Sequence, residues 1–129
     1  DDLYLEALRT RIDGLVADLR STGARVVLVT APGTSLSWVL ERVAPGMPER
    51  VRCTNQVLRD VAHETPGVHV IDLASYVCPP GKECRQEIDG VDLRADGLHF
   101  QGDGARAINN WLIPQVSAIA QSARTSGGG

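Results

Sequence analysis

Apolar residues recur at helical spacing near the start of the chain. Within residues 3–20 they fall on one predicted helical face, at Tyr4, Leu8, Ile12, Leu15 and Leu19, which predicts an amphipathic helix with one buried side. Gly23 predicts the end of this helix, because glycine readily adopts a helix-capping conformation. The continuous apolar run Val26–Val29 then predicts a strand buried on both faces, as in a parallel sheet.

Helix and strand patterns continue to alternate along the rest of the chain. Pro48 predicts the start of a helix that ends near Glu64, with an inward face at Val51, Asn55, Leu58 and Ala62. Residues 68–73 predict a second strand. A final helix is predicted from Gln101 onward, with apolar positions at Ala105, Ile108, Leu112 and Val116. Pro114 is predicted to kink or split this helix, because proline lacks the backbone N–H.

Two segments carry weaker patterns. Residues 35–47 are ambiguous, with a short helix possible over 37–43. Residues 75–99 are rich in Gly, Pro, Asp and Cys and are predicted to be a long irregular loop, of the kind that usually carries function. The domain is expected to span residues 1–124, with residues 125–129 as a flexible tail.

The order of these elements predicts an α/β fold with a parallel sheet and helices on both faces. Two strands cannot form such a sheet alone, so further strands are expected upstream of the sequence. The start at Asp1, without a methionine, is interpreted as a cut through a larger protein.

Composition and charge narrow the range of functions. The chain has 129 residues, a net charge of −3 and a pI near 5.5, which argues against a nucleic-acid partner. No apolar run approaches the roughly 20 residues that cross a bilayer, so this segment is not expected to insert into a membrane. No pattern implies a metal or another cofactor.

Three cysteines are present, at Cys53, Cys78 and Cys84. The last two frame the short loop Cys-Pro-Pro-Gly-Lys-Glu-Cys, which lacks the second ligand pair of a zinc site. Its spacing and turn residues favour a local disulfide, which would indicate an oxidising compartment. Two reduced surface thiols are the alternative. Cys53, on the predicted helix, is expected to stay unpaired and partly buried.

Asp96 and His99 are the candidate catalytic residues. They lie in the sequence Leu-Arg-Ala-Asp-Gly-Leu-His-Phe, just before the last helix. A carboxylate at this spacing can orient an imidazole, whose other nitrogen then accepts a proton from a hydroxyl nucleophile. Gly97 permits the tight turn that this contact requires. Asp-x-x-His alone is weak evidence, because a packed histidine is the more common finding.

The wider context resembles the C-terminal half of SGNH (GDSL-type) hydrolases, over residues 26–112. The matching order is Val-Val-Leu-Val-Thr-Ala-Pro, a helix with Asn55, Val-His-Val-Ile-Asp-Leu, the Cys-framed loop, Arg-Ala-Asp-Gly-Leu-His-Phe, Gly104 and Trp-Leu-Ile-Pro. The Cys pair and the Asp-Gly-Leu-His-Phe sequence look most like SGNH domains attached to bacterial membrane O-acyltransferases.

This resemblance implies a fold and an activity. The fold would be a partial three-layer α/β/α (flavodoxin-like SGNH) domain with a parallel sheet whose N-terminal strands are missing. The parent would be a serine esterase or O-acyltransferase acting on acyl esters of cell-surface glycans, and extracytoplasmic or secreted. Asp96 would be the orienting acid and His99 the general base. The implied partners are the acyl ester or glycan substrate and the upstream polypeptide.

The sequence also departs from the family pattern. It contains no Gly-Asp-Ser nucleophile motif, and Ser35 and Ser37 do not match one, so this chain alone is expected to be inactive. Asn55 is expected to make a structural hydrogen bond, with an oxyanion contact as the alternative. Arg94 is expected to be a solvated loop residue, with binding of an anionic substrate as its alternative. His63 and His69 are interpreted as surface residues.

Two other functions compete with the enzymatic one. A non-catalytic SGNH-like remnant could bind a glycan or a protein partner. A nucleotide-binding domain is disfavoured, because the sequence has neither Gly-x-Gly-x-x-Gly nor a phosphate-binding loop. The residues upstream of Asp1 would separate the enzyme from the remnant, since a Gly-Asp-Ser after a strand is expected there only for the enzyme.

Overall fold

Helices and short strands alternate in the computed structural model, which describes residues 2–34, 42 and 44–126. In chain order the elements are α1 (Asp2–Ser21), β1 (Val26–Val29), α2 (Met47–Glu64), β2 (Val68–Ile71), α3 (Leu73–Val77), β3 (Glu87–Ile88), β4 (Val91–Asp92) and α4 (Gly102–Ser126). The short helix considered over residues 37–43 lies outside the described residues, except for Arg42.

The sheet confirms the predicted parallel pairing. β1 and β2 run parallel in the register Val26 to Val68 through Val29 to Ile71. β1 is less buried than its apolar sequence predicts, however, because only Val26 is fully buried and Val29 is 37% exposed. The reason is that β1 pairs with one strand alone in the described part of the chain.

The first core cluster joins α1 and α2 to this sheet. Its buried members are Val16, Val26, Val61 and Val68, with Ile12, Leu28, Val57 and Ala62 packed against them. The predicted buried face of α1 is therefore shifted around the helix. Ile12 and Val16, one turn apart, face the core, whereas Leu15 and Leu19 are exposed.

The second core cluster lies around α4. Leu73, Val77, Leu93 and Ile108 are its buried members, and the rings of Tyr76 and Trp111 stack with centroids 4.0 Å apart. α4 also contacts β2. This cluster fixes the segment before α4, which contains both candidate catalytic residues, against the body of the domain.

The segment 75–99 is more regular than predicted. It contains most of α3 and an antiparallel hairpin, in which β3 pairs with β4. Asp89 and Gly90 form the turn with φ of 51° and 77°, and Asp-Gly is a favoured pair for such two-residue turns. The dipeptide signal was present in the sequence, but strands of two residues are too short to show an alternating pattern.

One prediction about the end of an element was wrong, and one of the two outcomes predicted for Pro114, a split helix, does not occur. β2 ends at Ile71, two residues early, because the Asp72 carboxylate accepts a hydrogen bond from Ser75 N and caps α3. Pro114 does not split the last helix, which runs from Gly102 to Ser126. A proline removes only one backbone donor, and the packing of Ile108 and Trp111 holds the preceding turns.

Candidate active site

Asp96 and His99 form a hydrogen-bonded pair in a tight turn. Gly97 has a φ of 75° and donates its N–H to the Arg94 carbonyl over 2.7 Å. Asp96 Oδ1 accepts the backbone N–H groups of Leu98, at 2.9 Å, and His99, at 2.7 Å. Asp96 Oδ2 lies 2.7 Å from His99 Nδ1. The contact between carboxylate and imidazole that the sequence predicted is therefore present.

The electrostatics of the pair favour an ionised Asp96. The backbone N–H of His99, then its ring and the backbone N–H of Leu98, hold the pKa of the carboxyl well below its usual range. A carboxylate facing Nδ1 favours the tautomer with the proton on that atom. Nε2 has no hydrogen-bond partner in the described part of the chain, and the His99 side chain is 64% exposed. Its lone pair is thus available to accept a proton.

The loop after β1 braces this turn. The Thr34 hydroxyl donates to the Gly97 carbonyl over 2.6 Å, and Arg94 Nη1 donates to the Gly33 carbonyl. Because β1 ends at Val29, residues 30–34 leave the carboxyl edge of the parallel strands, where ligands bind in open α/β sheets. The pair therefore lies beside the carboxyl edge of the parallel strands.

A polar network anchors the base of the same loop. The Thr30 hydroxyl donates to Asp72 Oδ1 over 2.8 Å and accepts from Ala74 N, while Arg59 makes two 3.0 Å bonds to the Asp72 carboxylate. Partial burial acts to raise the pKa of Asp72, but Arg59, Thr30 and Ser75 outweigh it and hold that pKa well below its usual range. This network ties the end of β1 to the end of β2.

Asn55 has the structural role that was expected. Its Oδ1 accepts from Ala31 N over 2.8 Å, and its Nδ2 donates to Ala31 O over 2.7 Å. The backbone N–H and the carbonyl of Ala31, in the loop after β1, are thereby both paired to the Asn55 side chain on α2. With one bond to each end of its amide, Asn55 contributes to the shape of the loop.

Arg94 departs from the solvated residue that was expected. Its side chain is buried at 4% exposure, because Nη1 reaches the Gly33 carbonyl and the guanidinium lies 5.6 Å from the centre of the Phe100 ring. Nε and Nη2 are buried with no hydrogen-bond partner in the part of the chain that the structure describes. Burial lowers the pKa of the guanidinium, while Asp96 acts to raise it.

The expected disulfide is present near the loop after β1. Cys78 and Cys84 are joined with an S–S distance of 2.09 Å, and Cys78 Sγ lies 3.7 Å from the Gly33 carbonyl oxygen. Cys53 is free and half-buried, as expected. The covalent loop thus contacts the same segment that braces the Asp96–His99 turn.

The histidine candidates His63 and His69 are not part of the described site. His63 is exposed at the end of α2 and His69 is half-buried in β2, and no group of three metal-ligating side chains occurs within residues 2–34, 42 and 44–126. Ser35 and Ser37 lie outside the described residues. No described helix is long and apolar enough to cross a membrane.

Sequence reasoning missed the residues that brace the turn. Thr34 is 63 positions from Gly97, and Gly33 is 61 positions from Arg94, so no spacing rule connects them. Thr30 carried a usable signal, because it directly follows a predicted strand and parallel strands bring such residues to one edge. Asp72 did not, because it fell inside the strand predicted over residues 68–73.

Comparison with known proteins gives a match for most of the chain. Residues 1–114 match the family model described as SGNH domain (fused to AT3 domains). No curated protein and no solved structure matches the chain significantly. The family match includes the parallel strands, the disulfide loop and the Asp96–His99 turn. The chain therefore belongs to the family of SGNH domains that are fused to AT3 acyltransferase domains.

Proposed function

We propose that this chain supplies the orienting acid, Asp96, and the general base, His99, of a Ser-His-Asp triad. The parent protein would be a serine esterase or O-acyltransferase acting on acyl esters of cell-surface glycans. The observation that carries the proposal is the 2.7 Å contact between Asp96 Oδ2 and His99 Nδ1. It leaves Nε2 exposed for a serine hydroxyl.

The reaction follows from this geometry. His99 Nε2 accepts the proton of a serine hydroxyl supplied by the upstream part of the domain, and the serine oxygen attacks the acyl carbonyl. The resulting imidazolium returns the proton to the leaving alcohol. In the second half, Nε2 deprotonates water or a sugar hydroxyl, which takes the acyl group from the serine, and the imidazolium returns the proton to the leaving serine oxygen. Asp96 stays ionised throughout and stabilises the imidazolium.

The family match and the disulfide support the setting of this reaction. The family's AT3 domains are acyltransferase domains, so an acyl group is the natural substrate shared by the two parts of the parent. The Cys78–Cys84 disulfide suits an oxidising compartment. Both support an extracytoplasmic domain linked to a membrane protein.

The decisive experiment uses the full-length parent. Replacing His99 by Ala should lower kcat by roughly 10⁴-fold or more, and Asp96→Asn should lower it by about 10⁴-fold with the fold intact, as in other triads. His63→Ala, which removes an exposed histidine on α2, is the matched control and should leave the rate unchanged. Near-normal activity of His99→Ala would overturn the proposal.

A non-catalytic role in glycan or protein binding is the other outcome of the test. It would follow if the parent's sequence before Asp1 carried no Gly-Asp-Ser and the parent showed no ester turnover. The 2.7 Å contact between Asp96 Oδ2 and His99 Nδ1 favours the enzymatic proposal, because it orients the imidazole in the way that a triad requires.

A further inference from the structure

An apolar cavity of about 310 Å³ adjoins the Asp96–His99 turn. Its apolar side chains come from the loop after β1, from the first turns of α2 and from the turn itself: Pro32, Met47, Pro48, Val51 and Leu98. The volume is at the lower end of the roughly 300–1,000 Å³ that is typical of small-ligand pockets. The cavity is therefore large enough for part of a small ligand.

The wall of this cavity is continuous with the candidate active site. Leu98 directly precedes His99. The other two lining residues, Gly33 and Thr34, each hydrogen bond to the same turn, Gly33 to Arg94 and Thr34 to the Gly97 carbonyl. Three of the lining residues thus either belong to the catalytic turn or brace it.

The chemistry of the lining selects one part of an ester. None of the described lining residues carries a charge, and Thr34 is the one with a polar side chain, although its hydroxyl already bonds to Gly97. A sugar would need several convergent donors and acceptors. Met47 and Leu98 remain 38% and 44% exposed, so an apolar group would bury surface that now faces solvent.

We propose that this cavity binds the hydrocarbon chain of the acyl group while the ester carbonyl lies at His99. This assignment rests on the proposed function and names the part of the substrate that the site selects. Because the lining is apolar and the cavity small, it favours short, uncharged aliphatic acyl chains. Chains longer than acetyl should bind more tightly, up to the length that fills the cavity.

The test is a titration of the isotope-labelled 129-residue chain with the methyl esters of acetic, butanoic and hexanoic acids, followed by NMR. Amide shifts should concentrate at Thr34, Met47 and Leu98. Affinity should rise about fourfold for each added methylene, equivalent to about 0.8 kcal/mol, until the chain no longer fits. Shifts elsewhere, or an affinity independent of chain length, would overturn the assignment.

Variants localise the effect. Leu98→Ala removes one wall, and Val51→Phe reduces the volume from the α2 side; each should weaken the dependence on chain length. The second variant keeps the test informative if the first disturbs the turn. Leu15→Ala, which removes an exposed apolar side chain from α1, is the matched control and should bind the esters as the unmodified chain does. Equal loss in this control would contradict a site at the turn.

The two proposals fail in distinguishable ways. Chain-length-dependent binding together with an active His99→Ala parent would remove the catalytic role and leave a hydrocarbon-binding cavity. Absence of binding together with an inactive His99→Ala parent would remove the cavity assignment alone.

Discussion

A single carboxylate organises the candidate active site at the scale of residues. Asp96 Oδ1 accepts two backbone N–H groups, and Oδ2 faces the imidazole of His99. One oxygen therefore fixes the turn while the other orients the imidazole. Gly97, at a φ of 75°, supplies a backbone conformation that most side chains avoid.

The separate roles of the two Asp96 oxygens predict how Asp96→Asn changes the tautomer of His99 in the isolated chain. The amide oxygen can still accept from the backbone, but an amide nitrogen facing Nδ1 would donate and so favour the other tautomer. In ¹⁵N NMR of neutral His99, the proton should therefore move from Nδ1 toward Nε2. An unchanged tautomer in this variant would show that Asp96 does not set it.

Acid should weaken the fold through Asp72. Its folded pKa lies below the usual value, so the contribution to stability is present above the unfolded pKa of about 3.9 and is lost as the pH falls below it. Asp72→Asn should be less stable than the unmodified chain at pH 7, with a difference that shrinks below about pH 4. Urea denaturation from pH 7 to pH 3 measures this, and a constant difference would contradict it.

The position of the Asp96–His99 turn depends on contacts between elements. The disulfide loop, the loop after β1 and the turn meet at Gly33, which lies near Cys78 and accepts from Arg94. Arg94 spans two of these segments, and its buried guanidinium has two groups without a partner among the described residues. The contacts of Arg94 therefore hold the three segments in one arrangement, and the desolvation of its guanidinium opposes this with a cost in free energy.

Removing the disulfide should lower stability without unfolding the domain. Closing the loop between Cys78 and Cys84 contributes about 2 kcal/mol in the chain-entropy model, so replacing both by Ser should lower the free energy of unfolding by about that amount. Cys53→Ser, which removes the free thiol, is the control. If the variant that lacks both Cys78 and Cys84 were as stable as the Cys53→Ser control, the disulfide would not contribute to stability.

Two helical glycines should respond to alanine in opposite directions. A Cβ at Gly104 would lie against the Leu93 carbonyl and 2.7 Å from the Asp92 carbonyl oxygen, so Gly104→Ala should destabilise by roughly 1–3 kcal/mol. Gly14 in α1 has nothing within 4 Å of that position, so Gly14→Ala should stabilise by about 0.5–1 kcal/mol. Equal effects in chemical denaturation would contradict the close approach of α4 to the segment after β4.

At the scale of the whole molecule, the chain carries the proposed acid and base but no assigned nucleophile. No described hydroxyl bonds to His99 Nε2, and the sequence has no Gly-Asp-Ser. The family match nevertheless assigns the chain to an acyltransferase-linked SGNH domain. The two observations agree if the nucleophile comes from the upstream part of the parent.

The chain alone should therefore resist a serine-directed fluorophosphonate, whereas the full-length parent should be labelled. The physical reason is that His99 can accept a proton but has no hydroxyl to activate within the described residues. Mass spectrometry of both proteins after labelling provides the comparison. Labelling of the chain that is lost in Ser35→Ala or Ser37→Ala would instead move the nucleophile to that segment.

What the sequence determined by itself is local. The Asp96–His99 contact spans three positions and the Cys78–Cys84 loop six, so residue type and spacing indicated both, although the Asp-x-x-His spacing became a catalytic prediction only with the wider family resemblance. The apolar runs likewise predicted β1 and the start of β2, because period and β-branched content reflect burial directly.

What the tertiary structure decided depends on segments that are distant in sequence. The burial of Arg94, the Thr34 bond to Gly97 and the close contact at Gly104 each require two elements to meet at one orientation. The shift of the buried face of α1 from Leu15 to Val16 has the same origin. A helical pattern shows which positions share a face, but only packing against α2 and β1 determines which part of that face is covered.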